Sequence, residues 1–591
     1  MCGICGEVRI SGQPALAALG RVNDAMQARG PDAAGLYVQG GIALGHRRLS
    51  ILDLSAAAQQ PMIDAALGLG IVFNGCIYNF RELRAELQAK GYRFFSDGDT
   101  EVILKAYHAW GKTCVQRFKG MFAFALWERD SGRVVIVRDR LGIKPLYYTE
   151  GPGFLRFASS LPALLAGGDV DTSIDRTALH HFFSFHAAVP APRTILNGVK
   201  KLEPATLLTI EPDGTQRRER YWQFSVGASR STDRAMSQEE WSDALLDAMT
   251  SAVDRRRVAD VPVGVLLSGG LDSSLLVALL SKLGHEDIRT FSIGFDAVGK
   301  HAGDEFHYSD IIARTFGTNH EQIRIGGNCA LDALPHAIAA MSEPMVSHDA
   351  VAFYLLSSEV AKRVKVVQSG QGADEVFGGY SWYPGFLSAN DPVQQYQNAY
   401  FDWTHSDLQR LLAPELLGDD DVSLAFVERF FAAHAGASAV DKVLQIDTEI
   451  MLVDDPVKRV DNMTMAFGLE ARVPFLDHDV VELAARMPAE LKVKNGGKHI
   501  LKEAARRCVP AEVIDRPKGY FPVPSLRYLR GPFLDYVRDV LNDEKARARG
   551  LYQRDLIDHM LQNPEAEMSP KGHSRLWQAA LLEAWLQTHG I

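Results

Sequence analysis

Hydrophobic and polar positions alternate differently in the two halves of the chain. Up to about residue 215 the apolar runs are short and separated by turn residues, the pattern of many strands. Arg133-Val134-Val135-Ile136-Val137 is one such run and predicts a buried strand. Two longer stretches, Ala15–Ala28 and Phe80–Lys90, predict helices. From about 211 to 238 the chain turns polar, through Pro212-Asp213-Gly214 and then Gly227-Ala228-Ser229-Arg230-Ser231-Thr232-Asp233, which predicts a linker. Beyond it strands and helices alternate: Val263–Leu267, Arg289–Phe295 and Val364–Val367 read as strands, Ser274–Leu283 as a helix. That alternation predicts a parallel α/β sheet. After about residue 385 the pattern is mostly helical and ends in Arg575–Trp585, expected to be an amphipathic helix. The expected division is residues 1–215 and 238–591.

Composition narrows the class. The 591 residues are 47% hydrophobic and 23% charged, ordinary for a globular protein. A net charge of −10 without a long basic run argues against nucleic acid as a partner. No apolar run is long enough to span a bilayer. The start of the chain lacks the pattern of a signal peptide, so a cytoplasmic protein with reduced thiols is expected. Six cysteines in this length do not make a disulfide framework, and no His/Cys spacing predicts a zinc site. His46 and His348 are possible ligand contacts, though a core or surface role is the ordinary reading of either.

Cys2 follows the initiator Met and precedes Gly3. Removal of Met1 leaves it with a free α-amine. A thiol titrates near 8.5 and an α-amine at about 7.7–8, so one residue can provide nucleophile and base. By position alone Cys2 is merely an early cysteine. Asn74-Gly75 ends the apolar run Leu69–Phe73, and an Asn side chain with a Gly N–H can stabilise a tetrahedral oxyanion. Asn-Gly is equally a common hairpin turn. Arg48 has the fork that suits a carboxylate, and Asp99 the charge that suits an amine.

These residues stand in a specific order. Cys2-Gly3-Ile4, Arg29-Gly30-Pro31-Asp32, His46–Ser50, Phe73-Asn74-Gly75-Cys76-Ile77-Tyr78-Asn79, Gly98-Asp99-Thr100-Glu101 and Gly120–Ala125 resemble the class II glutamine amidotransferases over roughly residues 2–210. The resemblance implies an α+β N-terminal-nucleophile fold with antiparallel sheets between helices. It implies that Cys2 attacks the glutamine amide, that Asn74 and Gly75 form the oxyanion hole, and that Arg48, Asn74 and Asp99 hold glutamine. Cys76 departs from the family, which usually has a Glu there that helps hold the glutamine amine. A thiol of ordinary pKa carries no fixed negative charge at neutral pH.

In the second half, Ser268-Gly269-Gly270-Leu271-Asp272-Ser273-Ser274 joins a strand to a helix. Small residues at a helix N-terminus suit phosphate, since backbone N–H groups face the anion. No Gly-Lys-Ser/Thr follows, so this is not the Walker loop. A second cluster, Ser369-Gly370-Gln371-Gly372-Ala373-Asp374-Glu375, follows the strand ending at Gln368. Asp272 and Asp374 are expected to share Mg²⁺ with ATP phosphates. With Arg459–Ala466, Glu470–Asp477, Lys498–Lys502 and Arg516-Pro517-Lys518-Gly519-Tyr520-Phe521, these segments resemble the synthetase domain of asparagine synthetase over about 240–585. An α/β ATP-pyrophosphatase fold with a helical C-terminal part is then expected. Leu266, Ser268, Gly269, Gly270, Asp272, Ser273, Ile293, Ser369 and Gly370 are expected at ATP, and Lys518 at the adenylate.

The combined resemblance implies an enzyme that adenylates a carboxylate, releases ammonia from glutamine, and passes it through an internal tunnel to form an amide. Glutamine, ATP and a small peptide or amino-acid carboxylate are the expected partners, with a homodimer possible. Gln371 stands where asparagine synthetases commonly have Glu, and a neutral amide is no general base. Gln371, Cys76 and Ser381-Trp382-Tyr383-Pro384 together resemble a branch that amidates N-acetylglutaminylglutamine. An ordinary asparagine synthetase acting on aspartate, a β-lactam-synthetase-like cyclase and a non-catalytic storage or regulatory protein are the competing readings.

Overall fold

The computed structural model of the chain describes residues 2–227, 233, 236–295, 305–326, 329–516 and 529–591. The first half contains two six-stranded antiparallel sheets. One is built from β1 (Gly3–Arg9), β2 (Ala33–Gln39), β3 (Ile42–Arg48), β8 (Tyr147–Gly151), β9 (Phe154–Ala158) and β10 (Lys200–Lys201), in the order β10-β8-β9-β1-β3-β2. The other comprises β4 (Met62–Asp64), β5 (Leu69–Ile77), β6 (Gly120–Glu128), β7 (Val134–Arg138), β11 (Thr206–Ile210) and β12 (Gln216–Arg220), ordered β12-β11-β7-β6-β5-β4. Ile4, Leu44 and Phe157 of the first sheet pack on Val72, Ala125 and Ile136 of the second. Helix Leu16–Ala25 covers one outer face; Phe80–Ala89 and Asp99–Trp110 cover the other. Strands buried on both faces read as continuous apolar runs rather than alternations, which is why β7 was legible. β12 was not: its Arg and Glu side chains make it a polar edge strand inside the stretch expected to be linker.

The second half holds a five-stranded parallel sheet. Its strands are β13 (Val263–Leu266), β14 (Arg289–Phe295), β15 (Asn319–Ile325), β16 (Val366–Gln368) and β17 (Glu470–Arg472), in the order β15-β14-β13-β16-β17. The order reverses at β13, so the carboxyl ends of β13 and β16 open a crevice of the kind where α/β sheets bind ligands. The rest, from about 373 onward, is mainly helical. The last helix, Arg575–Thr588, is not amphipathic: Leu576 through Leu586 are all buried, Gln578 and Glu583 included. Those two are tolerated inside because Gln578 accepts from the Trp403 indole at 2.9 Å and Glu583 pairs with Arg549.

Buried ion pairs join the halves. Asp461 takes Arg29 at 2.9 Å and Lys144 at 3.2 Å; Lys201 takes Asp454 at 2.7 Å and Glu343 at 3.0 Å. Removing one partner of such a pair strands a buried charge, which fixes the mutual register of the two halves.

Candidate active sites

Cys2 lies just ahead of β1, with 8% of its surface exposed. Its main-chain nitrogen, the α-amine once Met1 is removed, donates to Asn74 Oδ1 at 3.0 Å. That leaves Asn74 Nδ2, which is buried and has no hydrogen-bond partner. A buried amide N–H without a partner demands an explanation, and an incoming oxyanion is one. The neighbouring Gly75 has no room for a side chain: a Cβ there would stand 2.2 Å from the Met121 carbonyl on β6. β5 thus presents an amide donor and a bare backbone beside the thiol.

Arg48, at the end of β3, is locked by donation from Nη1 to the Ser55 carbonyl at 3.0 Å and from Nη2 to the Asp53 carbonyl. Asp99 occupies the first turn of its helix and accepts from the Ile77 N–H at 2.9 Å. Burial pushes its carboxyl up to about 6. Cys2, Arg48, Gly75, Cys76 and Asp99 line one pocket. Burial also raises the Cys76 thiol, so it stays neutral there. His46 is a core residue, its Nε2 3.3 Å from the Phe73 carbonyl, held neutral by burial at about 3, and it does not reach the pocket lining.

Two further residues complete this pocket, and both come from the other half. Glu470 and Arg472 of β17 line it, joined by a 2.6 Å bond from Arg472 Nε to Glu470 Oε1. Arg472 Nη2 is 3.9 Å from Cys76 Sγ. Burial works against ionisation of Glu470, yet surrounding positive charge, Arg472 included, brings its carboxyl down to about 2. A sequence signal existed: residues two apart on a strand share a face. On the other side, the Arg472 carbonyl accepts from the Ser369 N–H at 2.8 Å. One three-residue strand therefore touches both the glutamine-type pocket and the loop after β16.

That loop belongs to the second pocket. Leu266, Ser268, Asp272, Ser273, Ile293, Ser369, Gly370, Gln371 and Asp374, spread over more than a hundred residues of chain, line it together. The helix begins at Leu271, three residues earlier than expected, so Asp272 and Ser273 lie in its first turn. Gly269 has φ +70°, and a Cβ there would meet the Ser309 nitrogen at 2.6 Å. Gly270 caps the helix, with its N–H on Ser268 Oγ at 3.3 Å. Neither glycine is on the pocket wall; they shape the loop that is. Lys518 lies outside the described residues. Arg516 is described and pairs with Glu305 at 3.1 Å.

Sequence reasoning missed the role of Lys498. Its ammonium reaches Asp272 Oδ2 at 2.7 Å and Asp374 Oδ1 at 2.9 Å, and these two carboxylates hold it protonated despite burial. Two carboxylates converging on one cation fit a Mg²⁺ held jointly with phosphate oxygens. Asp349, Glu375 and Tyr380 were also missed as wall residues. Burial, reinforced by Asp374, raises the Glu375 carboxyl to about 7, and the Tyr380 hydroxyl donates to it at 2.6 Å.

A family model described as Asparagine synthase matches residues 244–587, and one described as Glutamine amidotransferase domain matches residues 1–222. Among curated proteins, Asparagine synthetase [glutamine-hydrolyzing] 1 of Bacillus subtilis (strain 168) is 31% identical over 96% of this chain and 92% of its own length. Putative asparagine synthetase [glutamine-hydrolyzing] of Mycobacterium tuberculosis (strain ATCC 25618 / H37Rv) is 32% identical over 99% and 97%. Amidase chyE of Penicillium rubens is 26% identical over 93% and 90%.

Proposed function

Because the chain belongs to the asparagine synthetase family of glutamine-hydrolysing, ATP-dependent ligases, we propose that its first pocket releases ammonia from glutamine and its second adenylates N-acetylglutaminylglutamine, yielding the dipeptide amide. The observation that carries the acceptor reading is Gln371. A neutral amide lines the ATP pocket, next to Tyr380, whose ring stacks on Trp382 at 4.4 Å. Gln371 shares this wall with the carboxylates Asp349, Asp374 and Glu375, and its amide can pair with a peptide's amide groups where the usual Glu would add one more charge for the ammonium of free aspartate.

The cycle runs from these positions. Arg48 takes the glutamine carboxylate. The Cys2 thiol passes its proton to the α-amine as sulfur attacks the side-chain amide, and Asn74 Nδ2 with the Gly75 N–H holds the resulting oxyanion. Collapse expels ammonia, and water then releases glutamate. In the second pocket the Ser268–Ser273 loop takes the phosphates at a helix N-terminus, and Lys498 offsets their charge. Asp272 and Asp374 would hold Mg²⁺, which when bound neutralises the phosphates. The acceptor carboxylate displaces pyrophosphate; ammonia then displaces AMP. Glu375, unlike Gln371, can accept the proton that ammonia sheds.

Glu470 provides the fixed negative charge that Cys76 does not, and faces the glutamine ammonium together with Asp99. Glu470→Gln is expected to raise KM for glutamine about tenfold or more, the loss of one charge-assisted contact, with glutaminase kcat changed far less. Ammonia-dependent synthesis serves as the control for folding. An unchanged KM contradicts the role.

The acceptor is tested by AMP formation with ATP, glutamine and either N-acetylglutaminylglutamine or aspartate. Faster turnover with the dipeptide is expected. Faster turnover with aspartate makes the chain an ordinary asparagine synthetase and Gln371 a tolerated substitution.

A further inference from the structure

Away from both pockets, three distant segments bring His186, Asp402 and His573 together. His186 follows helix Arg176–Ser184, Asp402 lies between Pro392–Tyr400 and His405–Leu411, and His573 precedes Arg575–Thr588. His186 Nδ1 is 2.6 Å from Asp402 Oδ2, and His573 Nδ1 is 3.8 Å from Asp402 Oδ1. The two imidazoles are 4.4 Å apart. One donor atom from each residue falls within 4.8 Å of the others.

A hydrogen-bonded His–Asp pair would account for His186 and Asp402 but not for the rest. Asp402 is 2% exposed, and its Oδ1, like His573 Nδ1, is buried without a hydrogen-bond partner. Two lone-pair-bearing atoms facing each other beyond hydrogen-bond distance are what a cation between them would satisfy. The backbone adds a separate observation. His186 and Ala187 have φ of +50° and +67°, two successive non-glycine residues in the left-handed region. Such strain persists only where the surroundings fix it, and it concentrates at ligand sites.

We propose that His186, Asp402 and His573 bind a divalent transition ion, Zn²⁺ by the chemistry of two imidazoles and a carboxylate, which staples the glutaminase half to the helical part of the synthetase half. Three protein ligands leave a fourth position for water or for His348, whose ring is 5.8 Å from that of His573. His348 precedes Asp349 of the ATP-pocket wall, so the staple would brace that wall from behind. Sequence spacing could not show this, since His186 and Asp402 are 216 residues apart.

The test is metal content of the full-length enzyme, purified without chelator or added metal, by inductively coupled plasma mass spectrometry. One zinc per chain is expected. His573→Gln and His186→Asn, the latter chosen because Asn tolerates positive φ, should each lower it by roughly tenfold or more while glutaminase activity persists. Should either variant fail to fold, chelator-treated wild-type enzyme is titrated with Co²⁺, and d–d absorption that excess Zn²⁺ abolishes is expected. Wild-type enzyme without zinc and without that absorption overturns the proposal. So does zinc retained equally by folded variants.

Discussion

Cys2→Ala is expected to abolish glutaminase activity and glutamine-dependent amide formation, and to leave ammonia-dependent formation close to wild type. Among the described residues of this pocket the thiols are Cys2 and Cys76; burial raises both, and what sets Cys2 apart is its own main-chain nitrogen, which becomes an α-amine base once Met1 is removed. The second pocket shares no side chain with the first, so free ammonia can still reach the adenylate. Asn74→Ala removes chemistry and positioning together. Loss of one oxyanion donor costs about 10²–10³ in kcat, and here the same change removes the acceptor for the Cys2 nitrogen. Steady-state assays with glutamine and with ammonium salts give both numbers. Ammonia-dependent activity that falls in parallel would mean that Cys2 holds the fold rather than performs the chemistry.

Asp272→Asn produces the opposite split. ATP–pyrophosphate exchange is expected to fall by about 10²–10³, because the carboxylate proposed to hold Mg²⁺ becomes a neutral amide where triphosphate charge must be offset. Glutaminase activity should stay within about twofold, since sites without shared partners act independently. The substitution keeps side-chain volume and leaves Lys498 the Asp374 oxygen at 2.9 Å, so the ammonium is not stranded. Exchange that survives in Asp272→Asn would remove Asp272 from the phosphate site.

How much of this the sequence disclosed depended on what each feature needed. β7 and β13 were legible because strands buried on both faces are unbroken apolar runs. Helix Arg575–Thr588 was misread because its Gln578 and Glu583 look solvent-facing until Trp403 and Arg549, far away in the chain, are brought beside them. Helix Asp99–Trp110 is not among the expected helices, although Asp99 and Glu101 suit a helix start. Cys2, Asn74-Gly75 and Ser268–Ser274 stand in short contiguous motifs, so order along the chain is enough to nominate them. Glu470 and Arg472 come into view only when β17 is placed against the first pocket, and Lys498 only when Asp272 and Asp374, more than a hundred residues away in the chain, are brought beside it. No membrane-crossing helix appears among the described residues, in keeping with the absence of long apolar runs.

In the proposed cycle nitrogen travels from glutamine to an ATP-activated carboxylate within one chain. This transfer is tested by supplying glutamine labelled with ¹⁵N at the side-chain amide, together with ATP, Mg²⁺, N-acetylglutaminylglutamine or aspartate, and excess unlabelled ammonium, and reading the product by mass spectrometry. A product amide carrying predominantly ¹⁵N is expected, formed with AMP and pyrophosphate, and none from Cys2→Ala without added ammonium. A product whose nitrogen matches the bulk ammonium, or one formed with ADP and phosphate, would contradict the cycle.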